Sequence, residues 1–483
     1  MNEMNKNPEK NKITKIISAV AGVLILAFCT YTGIRAVQFN SYSEASELSV
    51  DQTYDLGSLL LNQYGDRYGL LKKLPYSIGE QRLDVWAKSA ILIDTANGNI
   101  LYEKNADEVI PPASMTKLFV LYVVDEEVSA GNLSYNQLIP LPPESWACNM
   151  PPHSSLMFLG KGQKVTLEEL LIGLSVCSGN DAAYALAYTI CGSMEDFVER
   201  MNQVAADLGL INTHFVESSG YSELNTTTAR EMAAFCNVYL QKHPDSLARY
   251  HGVQSFTYPK EQNMADGDRP AAQDFSHGLP EHITMPITQK NTNPLLGILD
   301  GVDGLKTGYI DESGYNLSLT AKRKGTRFLS VTMRGPGNTS KEGQQGRVHD
   351  GTELMEWAFS TFADYSMELY NHPYFIKAFC GKEKGLNLIP AYNDKILTAP
   401  YITGNSMDEN LSLIKVYVNL PDYTWGTVEQ GQVYGSIKFT LNDYLLEEIP
   451  LLADRNIKKT GFVTALADKI LVTLWNSSKN KDK

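Results

Sequence analysis

The chain has 483 residues, 43% of them hydrophobic and 20% charged, with a formal net charge of −13. That length supports two or three domains with full-sized cores. The acidic balance argues against nucleic acid as a partner and offers no broad basic surface for anionic lipid. Eight histidines show no zinc-like spacing, the six cysteines include no C-x-x-C pair, and no Gly-rich phosphate loop is present, so no metal, nucleotide or other cofactor is expected.

Residues 16–34 carry no charged side chain and follow Lys6, Lys10, Lys12 and Lys15. The stretch exceeds the roughly 7–15 apolar residues of a signal-peptide core and approaches the roughly 20 that span a bilayer. With no clear small-x-small cleavage site after it, a retained signal anchor is favoured over a cleaved signal. The lysines then stay cytoplasmic, and the rest of the chain lies outside the cell membrane, on its extracytoplasmic side. Five cysteines remain beyond the anchor, an odd number, read as mainly buried thiols with room for one disulfide.

Residues 1–37 are thus read as cytoplasmic tail and anchor, and the polar stretch 38–85 as a spacer. A hairpin follows, with Asn97-Gly98 as its turn. Pro111-Pro112 then precede Ala113-Ser114-Met115-Thr116-Lys117 and an apolar run, which marks a helix start with Ser114 at its N-terminus. Thr166-Leu167-Glu168-Glu169 has capping-box spacing ahead of a helical region reaching about residue 240. Residues 241–290 read as an irregular excursion with one hairpin. Strands return over 316–321 and 327–333, and a helix bearing Leu354, Trp357 and Phe359 packs on them. Strands, a helical insert and strands again describe an α+β domain over 86–362. Short alternating segments over 363–456 suggest a small β-rich domain. Residues 457–483 hold an amphipathic helix and tail, for which docking on the β domain and contact with the membrane surface both stand open.

Ser114 and Lys117 lie one turn apart on one helix face. The spacing alone is weak, since Ser412/Lys415 and Ser478/Lys481 share it. Two further triplets supply context: Ser178-Gly179-Asn180 between two helices, and Lys306-Thr307-Gly308 opening the first returning strand. Together, in this order, the three resemble the motif set of penicillin-binding proteins and serine β-lactamases. Pro112–Lys117, Ser178–Ala182, Asn212–Phe215 and Gly304–Tyr309 narrow the resemblance to low-molecular-mass penicillin-binding proteins, the serine-type D-alanyl-D-alanine carboxypeptidases.

That resemblance implies a β-lactamase/penicillin-binding-protein-like transpeptidase fold: an antiparallel sheet flanked by helices, with a helical subdomain and a small C-terminal all-β domain after it. It implies removal of the terminal D-Ala from peptidoglycan stem pentapeptides through a Ser114 acyl-enzyme, with β-lactam antibiotics as inhibitors. Ser114 is then the nucleophile and Lys117 the base, its pKa lowered by partial burial and by Lys306. Ser178 relays protons, and Asn180 holds Lys117 and the substrate amide. The Ser114 and Tyr309 amides form the oxyanion hole. Lys306, Thr307, Gly308 and Tyr309 bind substrate, and Arg347 matches the family's carboxylate-binding arginine, with Arg334 as its rival. His214 and Cys177 are read as structural. Ile310, Asp311, Glu312 and Thr292 depart from common family residues, which bears on substrate affinity. A serine β-lactamase and a weakly catalytic cell-wall scaffold are the alternatives; no convincing Glu-x-x-x-Asn loop for fast deacylation appears between the second and third motifs.

Overall fold

The computed structural model describes residues 8–40, 71–74, 76, 78, 82–391, 396–400, 405–441 and 444–479, so most of the expected spacer lies outside the described residues. The N-terminal helix α1 (Pro8–Asn40) contains a stretch, Lys12–Phe39, long and apolar enough to cross a membrane. The chain divides into two units, one formed by residues 66–365 with 396–411, the other by 1–65, 366–395 and 412–483.

The larger unit is built on a six-stranded sheet. Its strands are β1 (Lys72–Lys73), β2 (Ser89–Asp94), β3 (Asn99–Lys104), β4 (Val302–Ile310), β5 (Gly314–Arg323) and β6 (Thr326–Gly335), in the order β1-β3-β2-β6-β5-β4. Gly98 supplies the positive φ of the β2–β3 turn, a backbone region that costs glycine little. β2 is buried along its whole length, and its alternation sends Ile91 and Ile93 to one core and Ala90 and Leu92 to the other. A strand buried on both faces reads as a continuous apolar run, as this one does.

One face of the sheet carries α2 (Lys117–Ser129), α3 (Leu167–Val176), α4 (Asn180–Cys191), α5 (Met194–Asp207) and α6 (Ala229–Lys242). The capping box at α3 is present: Thr166 accepts from the Glu169 amide, and Glu169 reaches back. α7 (Ser340–Thr361) packs Leu354, Met355 and Ala358 against Leu317, Leu319 and Phe328 on the other face. The excursion over 241–290 contributes two paired strands, Ser255–Tyr258 and Ile287–Lys290, far apart in sequence rather than joined by a tight turn. In the smaller unit, a second six-stranded sheet carries the helix α8 (Phe462–Lys479).

One expectation changes. Ile396–Pro400, read from sequence as part of the C-terminal β segment, pairs with Phe362–Ser366 and groups with the larger unit. The reason is polar: Thr398 Oγ1 donates to buried Asp94 and accepts from Asn97 Nδ2 at 2.6 Å. The six cysteines are all free thiols, with no disulfide among them.

Beside Asp94 lies a second buried carboxyl, Asp364. Burial and then the Asp94 charge push the Asp364 pKa far above the carboxylate range, so the pair shares a proton. The folded state keeps that proton at pH values where the unfolded chain has lost it, and stability falls as pH rises through the interval. Asp364→Asn removes this slope. Between pH 6 and 9 the Tm of the wild type is expected to drop by several degrees more than that of the variant, as read by differential scanning fluorimetry.

Candidate active site

Ser114 sits in a single 3-10 turn, Ala113–Thr116, that runs directly into α2 at Lys117. The turn is clamped from two sides by glycines. A Cβ on Gly308 would come within 2.5 Å of the Pro112 carbonyl oxygen, and one on Gly220 within 1.9 Å of the Ala113 carbonyl oxygen. Only glycine tolerates such an approach. Asn316 Nδ2 donates to the Pro111 and Pro112 carbonyls at 3.0 and 3.3 Å. Ala113 and Ser178 both hold positive φ, the kind of backbone strain that clusters at working sites when its surroundings over-determine it.

Lys117 is 0% exposed. Its Nζ lies 2.9 Å from Ser114 Oγ, 2.8 Å from Asn180 Oδ1 and also against the Ser219 carbonyl. Burial lowers its pKa to about 7, against the pull of Glu217 and Asp181, which favour the charged form. Sequence reasoning assigned part of this effect to Lys306; complete burial is instead the leading cause. Lys306 is itself buried, and its pKa is lowered by burial first and then by the Lys117 and Arg347 charges. Coulomb repulsion is mutual, so the two lysines disfavour being charged together. Lys306 Nζ donates to Ser178 Oγ at 2.9 Å and to the Thr307 carbonyl at 3.0 Å.

Ser178 links α3 to α4, and Asn180 opens α4 with its Nδ2 on Ser154 Oγ at 3.1 Å. Lys306, Thr307 and Gly308 stand in the middle of β4 rather than at its start. β4 is the free edge of its sheet, so its outer backbone can pair with an extended peptide. A cleft of about 480 Å³ opens above it, lined by Ser114, Asn180, Ser154, Gly220 and Tyr309. Its rim carries Glu223, Asp311 and Glu312. Thr307 Oγ1 bonds to Thr292 Oγ1 at 2.7 Å, so the departure at Thr292 becomes a support for the binding strand.

Arg347 is not among the residues lining that cleft. It is 6% exposed, and it donates from Nη2 to the Gly308 carbonyl at 2.6 Å and from Nε to the Asn316 carbonyl at 3.0 Å. Through Nε and Nη2 its guanidinium braces β4 and β5. Arg334 pairs with Glu108 and lies outside the cleft lining. His214 is exposed and pairs its backbone with Thr226. The buried Cys177 thiol is pushed up to about 12 by desolvation, which leaves it without thiolate character.

Sequence reasoning missed the groups that position Lys117. Glu217 accepts from Ser219 N at 2.6 Å, Gly220 N at 2.7 Å and Asn225 Nδ2 at 3.0 Å, folding the loop that turns the Ser219 carbonyl onto Lys117. Buried Asp181 accepts from the amides of Met157, Phe158 and Leu159 and fixes the segment beside Ser154. The available signal was a glutamate three residues before a glycine, and an aspartate in the first turn of a helix.

Removing the Arg347 guanidinium takes away its hydrogen bonds to the Gly308 and Asn316 carbonyls. Arg347→Ala is expected to lower the Tm of the larger unit by several degrees, at roughly 1.5–3 kcal/mol per charge-assisted hydrogen bond lost. Unchanged thermal stability together with a KM effect alone would contradict the bracing role.

Residues 77–337 match the Peptidase S11 family, described as D-alanyl-D-alanine carboxypeptidase. The carboxypeptidase DacF of Bacillus subtilis is 30% identical over 382 residues, covering 79% of this chain and 88% of that protein. DacA of Escherichia coli is 31% identical over 398 residues, covering 80% and 87%. Penicillin-binding protein 5 of Haemophilus influenzae superposes with a TM-score of 0.65 at 26% identity, over 79% of this chain and 100% of that one. The chain belongs to the D-alanyl-D-alanine carboxypeptidase family of serine peptidases.

Proposed function

We propose that the chain removes the terminal D-alanine from peptidoglycan stem pentapeptides, working from the cell membrane on its extracytoplasmic face. The observation that carries this reading is the completely buried Lys117, with Nζ 2.9 Å from Ser114 Oγ. At an ordinary lysine pKa near 10.4, only a few amines in ten thousand are neutral at pH 7. With the pKa lowered to about 7, about half are.

The substrate lies extended along β4, its terminal carboxylate toward Lys306 and Thr307. Arg347 reinforces the positive potential there from behind the strand. The Ser114 hydroxyl gives its proton to neutral Lys117 as Oγ attacks the penultimate D-alanyl carbonyl. The amides of Ser114 and Tyr309 receive the developing oxyanion. The tetrahedral intermediate collapses by breaking the C–N bond. Ser178, held by Lys306 Nζ at 2.9 Å, passes its proton to the leaving amine and takes in its place the one that Lys117 removed from Ser114, so D-alanine departs and Lys117 is neutral again. Water then attacks the Ser114 ester and gives a proton to Lys117, which returns it to Ser114 Oγ as the acyl C–O bond breaks and the shortened peptide leaves.

Penicillins acylate the same serine in this account. The Glu217 carboxylate is occupied by the Ser219 and Gly220 amides, the Ser219 hydroxyl and Asn225, so it is not free to activate water, and the penicilloyl adduct is expected to persist rather than turn over as in a β-lactamase.

Incubating the protein with a stem pentapeptide should release free D-alanine, and Ser114→Ala should abolish the release. Lys117→Ala should slow acylation by about 100-fold or more, the range of a general base. Because the neutral amine is the reactive form, the acylation rate should rise through about pH 7 and then level. Glu217 favours the protonated amine, so Glu217→Gln should move that rise to lower pH. A rate flat from pH 5 to 9 in the wild type would contradict Lys117 as the base.

A further inference from the structure

An N-terminal segment that only targets or tethers needs length and apolarity, not a dedicated polar partner. α1 has such a partner. Arg35, one turn from the end of the helix, donates from Nε to Asp468 Oδ1 at 2.9 Å and from Nη2 to Oδ2 at 2.6 Å. Both side chains are buried, Arg35 at 6% exposed and Asp468 at 0%. Asp468 Oδ2 also accepts from the Cys380 amide at 2.8 Å. This ties the ion pair to the strand Tyr374–Phe379 of the smaller unit's sheet, through the residue that follows it.

The pair belongs to a longer seam. One turn earlier on both helices, Tyr31 Oη lies 2.8 Å from Thr464 Oγ1. One turn later, Phe39 is buried in a cluster with Val472, Phe379 and Trp475, its ring 4.4 Å from that of Phe379. Residues 31, 35 and 39 of α1 thus meet 464, 468 and 472 of α8 at a constant offset. Contacts at i, i+4 and i+8 on both helices, in the same sense, mean that α1 and α8 run side by side in the same direction. At that register Phe462 and Val463, both exposed, stand level with the last apolar turns of the anchor.

We propose that α1 is retained in the mature protein as a folded part of the smaller unit, clasped to α8 by the Arg35–Asp468 pair. α8 then meets the membrane as the second member of a helix pair, not as an independent amphipathic helix. Removal of α1 would leave Asp468 buried beside the Cys380 amide without its cation, and an uncompensated buried charge strongly destabilises its surroundings. The clasp is independent of Ser114 chemistry.

The test uses the full chain purified from membranes and reconstituted in lipid nanodiscs. Intact mass should include α1. In a Cys29→Ser background, Tyr31→Cys with Thr464→Cys should give a 31–464 disulfide detected by peptide mapping. Arg35→Gln should raise the rate of tryptic cleavage at Lys469 by tenfold or more, and the exchange Arg35→Asp with Asp468→Arg should restore protection. Penicillin labelling of Ser114 checks that the larger unit stays folded. A mature chain beginning after residue 35, absence of the 31–464 disulfide in labelled protein, or Arg35→Gln protected like wild type would each overturn the proposal.

Discussion

Keeping one lysine amine out of water is the constraint on which the rest of the site depends. Lys117 is offered an oxygen by Ser114, Asn180 and the Ser219 carbonyl, three partners from three separate parts of the chain. A buried cation without such partners would be costly, and one with strong anionic partners would stay charged. Neutral oxygens solve both problems. They satisfy the amine while leaving burial free to lower its pKa, and they fix Nζ 2.9 Å from the Ser114 hydroxyl, whose proton it takes in the proposed mechanism.

Much of the surrounding structure follows from supplying those oxygens. Gly220 and Gly308 let two backbone segments close on the Ser114 turn where a side chain would collide. Asp181 and Glu217 lie near enough to oppose the lowered pKa of Lys117, yet each is turned toward backbone amides and shapes a loop. Lys306 repeats the arrangement one step away, buried and aimed at Ser178. Arg347 holds the strand that carries it. The site is therefore a set of buried basic groups separated by hydroxyl and amide groups, in which burial and mutual repulsion decide which of them carry a proton.

The parts legible in the sequence were those encoded locally. The Pro111-Pro112 helix entry, the Thr166 capping box, the Asn97-Gly98 turn and the three catalytic triplets each sit within a few residues, and their order was informative where any one alone was not. Relations across long separations were not legible. The bonds from Arg347 to the Gly308 and Asn316 carbonyls join residues 39 and 31 positions apart, which sequence does not display. Ile396–Pro400 read as part of the C-terminal β segment because nothing local announces that Thr398 will bond Asp94. Arg35 and Asp468 lie at opposite ends of the chain, with no pattern joining them. Glu217 went unnoticed because its work is done on backbone amides, which sequence does not display.

The proposed mechanism depends on the protonation of a single amine, so the direct measurement is its titration. In protein labelled with 13C at lysine Cε, the Lys117 resonance can be assigned by its loss in Lys117→Arg and followed by NMR from pH 5 to 11. A midpoint near 7, far below those of the exposed lysines, is the predicted result. A midpoint near 10.4 would mean that burial does not neutralise Lys117 and would contradict its role as the base.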